Sequence, residues 1–482
     1  MFNFYFFSIL METRESALGR KGETMSVAVA DEKMTKGHPA REFFRFAVPA
    51  VLGMISIASA SIVDGIFVGN FVGSTALAAI SLITPMFALY FGVVVMLTVG
   101  AAVMAGKFIG EKRERDASNI FMKALISVLV FSIVFAFLLL AFTPAAARIL
   151  GANAETAEMV ETYIFTVAWF FPGLSLAVAL SHFVRVDGRP NFSLAGMVMI
   201  TVVNIVLDAW MIGYLGWGVW GAALATGLAS QAGMLFLLLH FANKKAKLRF
   251  LKPYGSWRAM YTAAYNGLSE FINESSGGIV AFLFNWILIT EVGAQGVAAF
   301  TIVNYLFFTG IMVFYGVSEG LGPLVSVNFG ARKPRRIYQF LSLGVGTNLF
   351  VGLLLASLLI FQPMLLASAF VGDADEATLK LTLEIIGVIW PVFLFNGVNI
   401  AFSGYFTGMH CATQSALIAM SRSLVMPLVL IVALWFFIGP MSVFYALPVA
   451  EALTLGMTLL MFSQKKPHWI LWQSRRTASG AA

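Results

Sequence analysis

The sequence predicts an all-α integral membrane protein with twelve transmembrane helices in two pseudo-symmetric six-helix bundles. Three observations lead to this fold class: an apolar composition, basic residues confined to one set of loops, and an internal repeat. Hydrophobic residues make up 59% of the 482 positions and charged residues 11%, with a mean hydropathy of +0.86. Soluble domains contain about 45–50% apolar and roughly 25% charged residues, so a water-soluble fold is excluded.

Apolar runs of sufficient length define the spans, because one crossing needs about 20 mostly apolar residues. Several runs are longer than this, which predicts tilted or kinked helices. The twelve spans are expected at 43–70, 77–108, 118–142, 156–184, 192–214, 218–242, 262–291, 297–328, 337–362, 378–405, 412–438 and 441–463.

Lys and Arg lie almost entirely on one set of loops. They concentrate in both tails and after spans 2, 6 and 8, and only Arg148 and Lys380 lie on the opposite loops, which leaves 29 of the 31 basic residues on one side. The positive-inside rule assigns that side, with both termini, to the cytoplasm. The net charge of +7 is therefore a topological signal, and no nucleic-acid partner is expected.

An internal repeat appears when the chain is shifted by 220 residues. Both halves then hold six spans, so they insert with the same orientation and are related by an axis along the membrane normal. Small residues coincide under the shift: Gly73, Ala78, Ala79, Gly100 and Gly110 fall on Gly293, Ala298, Ala299, Gly320 and Gly330, and Gly188 falls on Gly408.

The repeat and the charge pattern predict five segments. They are a disordered cytoplasmic tail (1–40), an amino-terminal lobe (41–242), a cytoplasmic linker (243–261), a carboxy-terminal lobe (262–463) and a second cytoplasmic tail (464–482). The linker is rich in basic residues and reads as a tether on the inner surface. Attraction to anionic lipid and simple solvation are both open interpretations of its charge.

Acids inside spans are candidate functional residues, because a charge at mid-bilayer costs about 2.5–3.5 kcal/mol on insertion scales. At about 1.5 Å per residue, Asp64 of span 1 and Asp208 of span 5 lie at a similar depth, and Thr226 of span 6 lies slightly deeper. Asn204 shares a helix face with Asp208. Such a cluster can take up a proton or coordinate Na⁺ through hard oxygens. The alternative is structural: Asp64 could cap its helix, and Thr226 could bond its own backbone.

The second half offers a different set of acids. Glu274 and Glu451 fall near mid-membrane and could serve a cavity directly, whereas Glu319 is expected near the inner membrane surface. Glu270 shares a helix face with Glu274. No cofactor is expected, and Cys411, the single cysteine, excludes an intrachain disulfide. Abundant aromatic residues and 23 methionines would suit a cavity for bulky hydrophobic cations.

The chain resembles the multidrug and toxic compound extrusion (MATE) transporters over nearly its whole length after residue 40. The resemblance rests on four stretches: Ile62-Val63-Asp64 with Gly69, Arg185–Pro190 (RVDGRP), Asn204–Asp208 (NIVLD) and Gly221–Thr226 (GAALAT). It implies a drug/cation antiporter with two lobes flanking a central cleft.

The resemblance also implies roles for single residues. Asp64, Asn204, Asp208 and Thr226 match the family's cation or proton site. Glu274 matches the span-7 acid of the NorM-type branch, but Asn396 and Asn399 stand where that branch has a span-10 acid. The chain is therefore more similar to the DinF-type or MepA-like branch.

The expected function is export of hydrophobic, often cationic drug-like compounds in exchange for H⁺ or Na⁺. The expected setting is a bacterial inner membrane, with membrane lipids as neighbours and a monomeric protein. A flippase for lipid-linked saccharides is the alternative, although it would need several Arg or Lys to hold pyrophosphate and only Arg422 lies at depth. A membrane-embedded enzyme is the second alternative; the sequence has no nucleophile–base pair or metal motif, with His182 and His410 the nearest intramembrane histidines.

Overall fold

The computed structural model describes residues 33–368 and 376–471, and this part of the chain is helical and contains no strands. Ten single helices are long and apolar enough to cross a membrane, and two bent helix pairs bring the number of crossings to twelve. We label the crossings α1 (Pro39–Phe71), α2 (Ser74–Gly110), α3 (Glu114–Ala141), α4 (Ala157–Ala168 and Phe171–Val186), α5 (Pro190–Tyr214), α6 (Gly218–Ala242), α7 (Leu268–Glu291), α8 (Ala294–Gly330), α9 (Pro334–Phe361), α10 (Glu376–Ile389 and Val392–Gly408), α11 (Ala412–Phe437) and α12 (Pro440–Gln464).

The predicted fold class is confirmed, but spans 4 and 10 are not continuous helices. Their two parts are bent by 58° in α4 and by 52° in α10. Pro172 lies in the first turn of the second part of α4, and Pro391 directly precedes the second part of α10. Proline favours the first turn of a helix and cannot continue the preceding one, which accounts for both breaks.

The repeat is visible in helix lengths and backbone angles. The helices α2 and α8 contain 37 residues each, and α3 and α9 contain 28 each. Gly73 and Gly293 both precede their helices with positive φ, at 117° and 90°, and Lys112 and Arg332 both turn the chain at 61° and 56°. These pairs keep the predicted 220-residue register.

The register changes after the bent helices. Gly188 adopts a φ of 91°, and its counterpart in the second half is His410, with a φ of 57°. The turn in the second half therefore lies two residues beyond the position that the 220-residue shift predicts, because the second part of α10 begins one residue later in this register and is one residue longer than that of α4.

Three apolar clusters show how the bundles meet. One cluster contains residues of both bundles and lies at the end that bears the basic loops, which we call the basic-loop end. Toward the opposite end, each bundle has a cluster of its own, with Tyr90 and Phe171 in the first and Phe284 and Phe393 in the second. The bundles are therefore joined at the basic-loop end and have separate cores at the other.

Glycines make the close contact at the basic-loop end possible. A Cβ on Gly110 would meet the carbonyl oxygen of Val327, and a Cβ on Gly330 would meet that of Lys107. The two contacts are repeat equivalents, so the axis relating the bundles passes between α2 and α8 here. A Cβ on Gly320 would lie 2.7 Å from the Cα of Ala47, closer than real side chains approach.

The linker after α6 is bound to the amino-terminal bundle rather than lying as a simple tether. Asp187 accepts hydrogen bonds from the backbone amides of Lys247 (3.0 Å) and Leu248 (3.2 Å), and its other oxygen lies 2.6 Å from Nε2 of His240. Nζ of Lys123 donates to the Ser256 carbonyl at 2.8 Å. The buried carboxylate thus fixes the path of the linker.

The predicted disorder of residues 1–40 concerns mainly 1–32, which lie outside the described residues, as do 472–482 of the second tail. The structure describes residues 33–40, and α1 begins within them, at Pro39. Met34 is fully buried, and Arg336 donates to the carbonyls of Met34 (3.0 Å) and Gly37 (2.8 Å). These contacts attach the start of the described chain to the first turn of α9.

Candidate functional site

Asp208 is the centre of the predicted cluster in the amino-terminal bundle. It is fully buried at the last α-helical position of α5, and the next six residues, Ala209–Tyr214, form a π-helix. π-helical turns inside helices are frequent at functional sites. The wider π-helical turn thus begins at the residue directly after Asp208.

Three carboxylate oxygens of this cluster are buried. Among the residues that the structure describes, none donates a hydrogen bond to either side-chain oxygen of Asp208 or to Oδ1 of Asp64. The two side chains are also close enough to repel each other electrostatically. A buried charge without a partner is strongly unfavourable, so a proton, a bound cation or water at the carboxylates would stabilise this arrangement.

Tyr163 joins the two aspartates to α6. Tyr163 is 4% exposed, and its side chain lies near those of Thr226, Asp64 and Asp208. The sequence analysis missed Tyr163, because one tyrosine in an apolar span gives no signal. Asn204, 7% exposed, lies one helical turn before Asp208.

The structure thus brings Asp64, Asp208 and Thr226 together, from three helices, around a tyrosine from a fourth. Carboxylate, hydroxyl and amide oxygens are the groups that would bind a proton or coordinate a hard monovalent cation. Within 33–368 and 376–471, no group of three or more His, Cys, Asp or Glu side chains has the arrangement of a metal site.

The carboxy-terminal bundle holds a different polar network. The Glu451 carboxylate accepts hydrogen bonds from the side-chain amides of Asn396 (2.6 Å) and Asn399 (2.7 Å) and lies 3.4 Å from Nη1 of Arg422. The asparagines that replace the span-10 acid therefore serve an acid on α12. Glu451 and Glu274 line the same cavity of about 270 Å³.

A third cluster connects the bundles at the basic-loop end. Arg185 of α4 forms an ion pair with Glu319 of α8, and Nδ1 of His182 lies 3.4 Å from the same carboxylate. The Arg185 side chain is 4% exposed and that of Glu319 is 20% exposed. Glu319, expected at the membrane surface, is thus one half of an ion pair between the bundles. Glu270 lies nearby, because it lines a small cavity together with Arg185 and Glu319.

Comparison with known proteins decides the family. The MatE family profile matches residues 49–210 and 277–446, most of the chain. The chain belongs to the MatE family. It is therefore a multi-pass membrane transporter rather than an enzyme, as the sequence predicted.

Relatives of this MatE protein include the multidrug export protein MepA of Staphylococcus aureus (strain N315). The two are 24% identical over 431 residues, which cover 87% of this chain and 93% of MepA. MepA of Staphylococcus haemolyticus (strain JCSC1435) is 26% identical over 424 residues, covering 88% and 92%.

Solved structures share the fold. A MATE structure in the bent conformation superimposes with a TM-score of 0.84 at 20% identity, covering 93% of this chain and 99% of that one. An outward-facing multidrug resistance MATE transporter of the MOP superfamily gives 0.83 at 22% identity, covering 90% and 97%. The two-bundle architecture of this chain is thus that of MATE transporters.

Proposed function

We propose that this protein exports hydrophobic, often cationic compounds across a bacterial inner membrane in exchange for H⁺ or Na⁺, by alternating access. The observation that carries the proposal is Asp208, a fully buried carboxylate near a second acid, to which no residue in the described part of the chain donates a hydrogen bond. Relatives of the chain are named multidrug export proteins, which supports the substrate class.

The coupling follows from the charge balance of the site. With H⁺ or Na⁺ bound, the repulsion between Asp64 and Asp208 is relieved and the closed packing around Tyr163 is tolerated. When the cation leaves, two neighbouring carboxylates remain in an apolar bundle, which disfavours this conformation relative to one that hydrates them. The cation's different affinity for the two conformations then drives the exchange.

The arrangement of the bundles supports alternating access. The amino-terminal lobe (41–242) and the carboxy-terminal lobe (262–463) share a core only at the basic-loop end, so a pivot there would open one end and close the other. The ion pair of Arg185 and Glu319 would hold the basic-loop end closed. The positive-inside rule would assign this end and both termini to the cytoplasm, and the conformation with the basic-loop end closed would then face outward.

The protein would act as a monomer, with the exposed linker residues Lys244, Lys245 and Lys252 near anionic lipid headgroups. A flippase for lipid-linked saccharides is less consistent with the charges at depth. Arg422 lies beside Glu451 and Arg185 is paired with Glu319, so neither adds to an unopposed cationic cluster for pyrophosphate.

Everted membrane vesicles test the proposal. We expect uptake of ethidium driven by a pH gradient or, in a separate arm, by a Na⁺ gradient, and loss of uptake in both Asp64→Asn and Asp208→Asn. Glu158→Gln, at an exposed position of α4, is the matched control and should transport normally. Immunoblotting would verify equal amounts in the membrane. Gradient-driven uptake by Asp208→Asn at the normal rate would overturn the assignment.

A further inference from the structure

A groove on the amino-terminal bundle lies at the end opposite the basic-loop end. Its volume is about 340 Å³, and its walls come from the short helix Thr143–Ile149, the first part of α4 and the start of α6. Glu161 lies four residues after α4 begins, and Trp220 lies two residues after α6 begins. At 1.5 Å per residue, both lie within about 6 Å of their helix ends. The groove is therefore at the depth of phospholipid headgroups.

The groove offers hydrogen-bond acceptors. The hydroxyl of Thr143 donates to the Leu139 carbonyl (2.7 Å), and the hydroxyl of Thr166 donates to the Thr162 carbonyl (2.7 Å). A hydroxyl has one hydrogen and two lone pairs, so in this arrangement both threonines, 6% and 7% exposed, can only accept from a ligand. The Glu161 carboxylate is a third acceptor in the groove. Three acceptors, one of them anionic, match the three donors of a primary ammonium.

Arg148 supplies a positive charge at the rim of this groove. It is exposed, and its Nε donates at 3.3 Å to the carbonyl oxygen of Pro144, a residue of the groove wall. In the part of the chain that the structure describes, neither Arg148 nor Glu161 takes part in an ion pair. Arg148 and Lys380 are the two basic residues that the sequence places on this side. An anionic wall with a cationic rim fits a zwitterion, with its ammonium at the carboxylate and its phosphate at the guanidinium.

Apolar surface continues from the groove along the outside of the bundle. Phe165 and Trp220 line the groove and are 50% and 43% exposed. Trp169, one helical turn after Phe165, is 65% exposed, and the two ring centroids are 6.5 Å apart. Exposed aromatic residues near helix ends are typical of the boundary between membrane and water. A ligand in the groove would thus have apolar surface beside it for acyl chains.

We propose that the groove binds the headgroup of one phosphatidylethanolamine molecule, from the leaflet at the end opposite the basic-loop end. The ammonium donates to Glu161, Thr143 and Thr166, and the phosphate pairs with Arg148. Phosphatidylcholine carries the same two charges, but its quaternary ammonium has no N–H group for the three acceptors. The site does not depend on the proposed export function, because it lies on the outside of one bundle and requires no transport.

Native mass spectrometry of the delipidated protein in detergent tests this site with dioleoyl lipids that differ only at the amine. We expect the wild-type protein to bind phosphatidylethanolamine roughly tenfold more tightly than phosphatidylcholine, because methylation removes hydrogen bonds to a charged group. Glu161→Gln should remove most of this preference, and Thr166→Val should reduce it by about threefold. Arg148→Gln should weaken both lipids alike, by about threefold, since both carry the phosphate.

Matched variants separate the site from general effects of charge. Glu158→Gln, at an exposed position one turn before Glu161, and Lys380→Gln, at an exposed position of α10, should bind both lipids like the wild type. All variants should unfold at the wild-type temperature in lipid-free detergent. Should Glu161→Gln be unstable, the wild-type preference and Thr166→Val decide alone. Equal wild-type affinities for the two lipids, or an unchanged preference in Glu161→Gln and Thr166→Val, would overturn the proposal.

Soluble glycerophosphoethanolamine distinguishes a lipid site from a site for the headgroup alone, since it carries the same charges without acyl chains. Displacement of the lipid only at concentrations about a hundredfold above the lipid Kd, or higher, supports a lipid site, because burial of the chains adds to affinity. Displacement at concentrations near that Kd would refute the assignment to a lipid. Absent ethidium transport with an intact lipid preference would refute export alone, and normal transport without the preference would refute this site alone.

Discussion

Neutralising Glu319 is the most informative perturbation of the contact between the bundles. In Glu319→Gln, the guanidinium of Arg185, 4% exposed, would remain buried without a counter-charge. Removing one partner of a buried ion pair costs about 3–5 kcal/mol. Because the Glu319 side chain keeps 20% exposure, we take the lower value, about 3 kcal/mol.

This cost applies only to the conformation in which the basic-loop end is closed, since opening would hydrate Arg185. The ratio of open to closed molecules should therefore rise by about a hundredfold, because 1.4 kcal/mol corresponds to about a factor of ten. The double variant Arg185→Gln/Glu319→Gln removes both charges and should remain near the wild-type ratio.

The labelling rate of a buried cysteine reports this ratio even when open molecules are rare. Ser326 is fully buried in α8 and faces Gly106 of the other bundle, so Ser326→Cys in a Cys411→Ser background should react with a soluble maleimide only after opening. We expect labelling about a hundredfold faster with Glu319→Gln. An unchanged rate, or a double variant that labels faster than the single one, would refute the reasoning.

Two further predictions use the same chain. Gly320→Ala should also accelerate labelling of Ser326→Cys, because its Cβ would lie 2.7 Å from the Cα of Ala47 and such overpacking costs about 1–3 kcal/mol. Gly346→Ala is the matched control, since a Cβ there meets open space. Equal labelling rates in the two variants would contradict the packing argument. Burial raises the pKa of the Cys411 thiol from 9.0 to about 11, and only the thiolate is nucleophilic. At neutral pH, alkylation of Cys411 in the otherwise unaltered protein should therefore be about a hundredfold slower than that of a free thiol. The alkylation rate should keep rising between pH 9 and 11. A rate that reaches its plateau at pH 9 would show that the thiol is not desolvated.

Much of the fold was predictable because membrane insertion depends on local averages. Twelve crossings and the two-bundle repeat follow from apolar runs and repeated glycines such as Gly73 and Gly293. The depth of a residue in the membrane follows from counting residues along its helix, so the sequence could place Asp64, Asp208 and Thr226 at a similar depth. The structure brings these three residues together.

Contacts across helices were not predictable, because they depend on the rotation and crossing of each helix, which hydropathy does not encode. Tyr163 beside Thr226, and Asn396 and Asn399 on the Glu451 carboxylate, lie far apart in sequence and have no shared pattern. The position of Met34 also depends on a donor from a distant helix, Arg336 of α9.

The sequence alone thus determined that the chain crosses a membrane, how often, and which acids lie within it, since the free energy of transfer to hydrocarbon is a property of short segments. Only the tertiary structure decided which of those acids are paired. Glu319 and Glu451 have cationic partners, whereas Asp208 has no hydrogen-bond donor within 33–368 and 376–471, because partners come from helices that meet only after the bundles have packed.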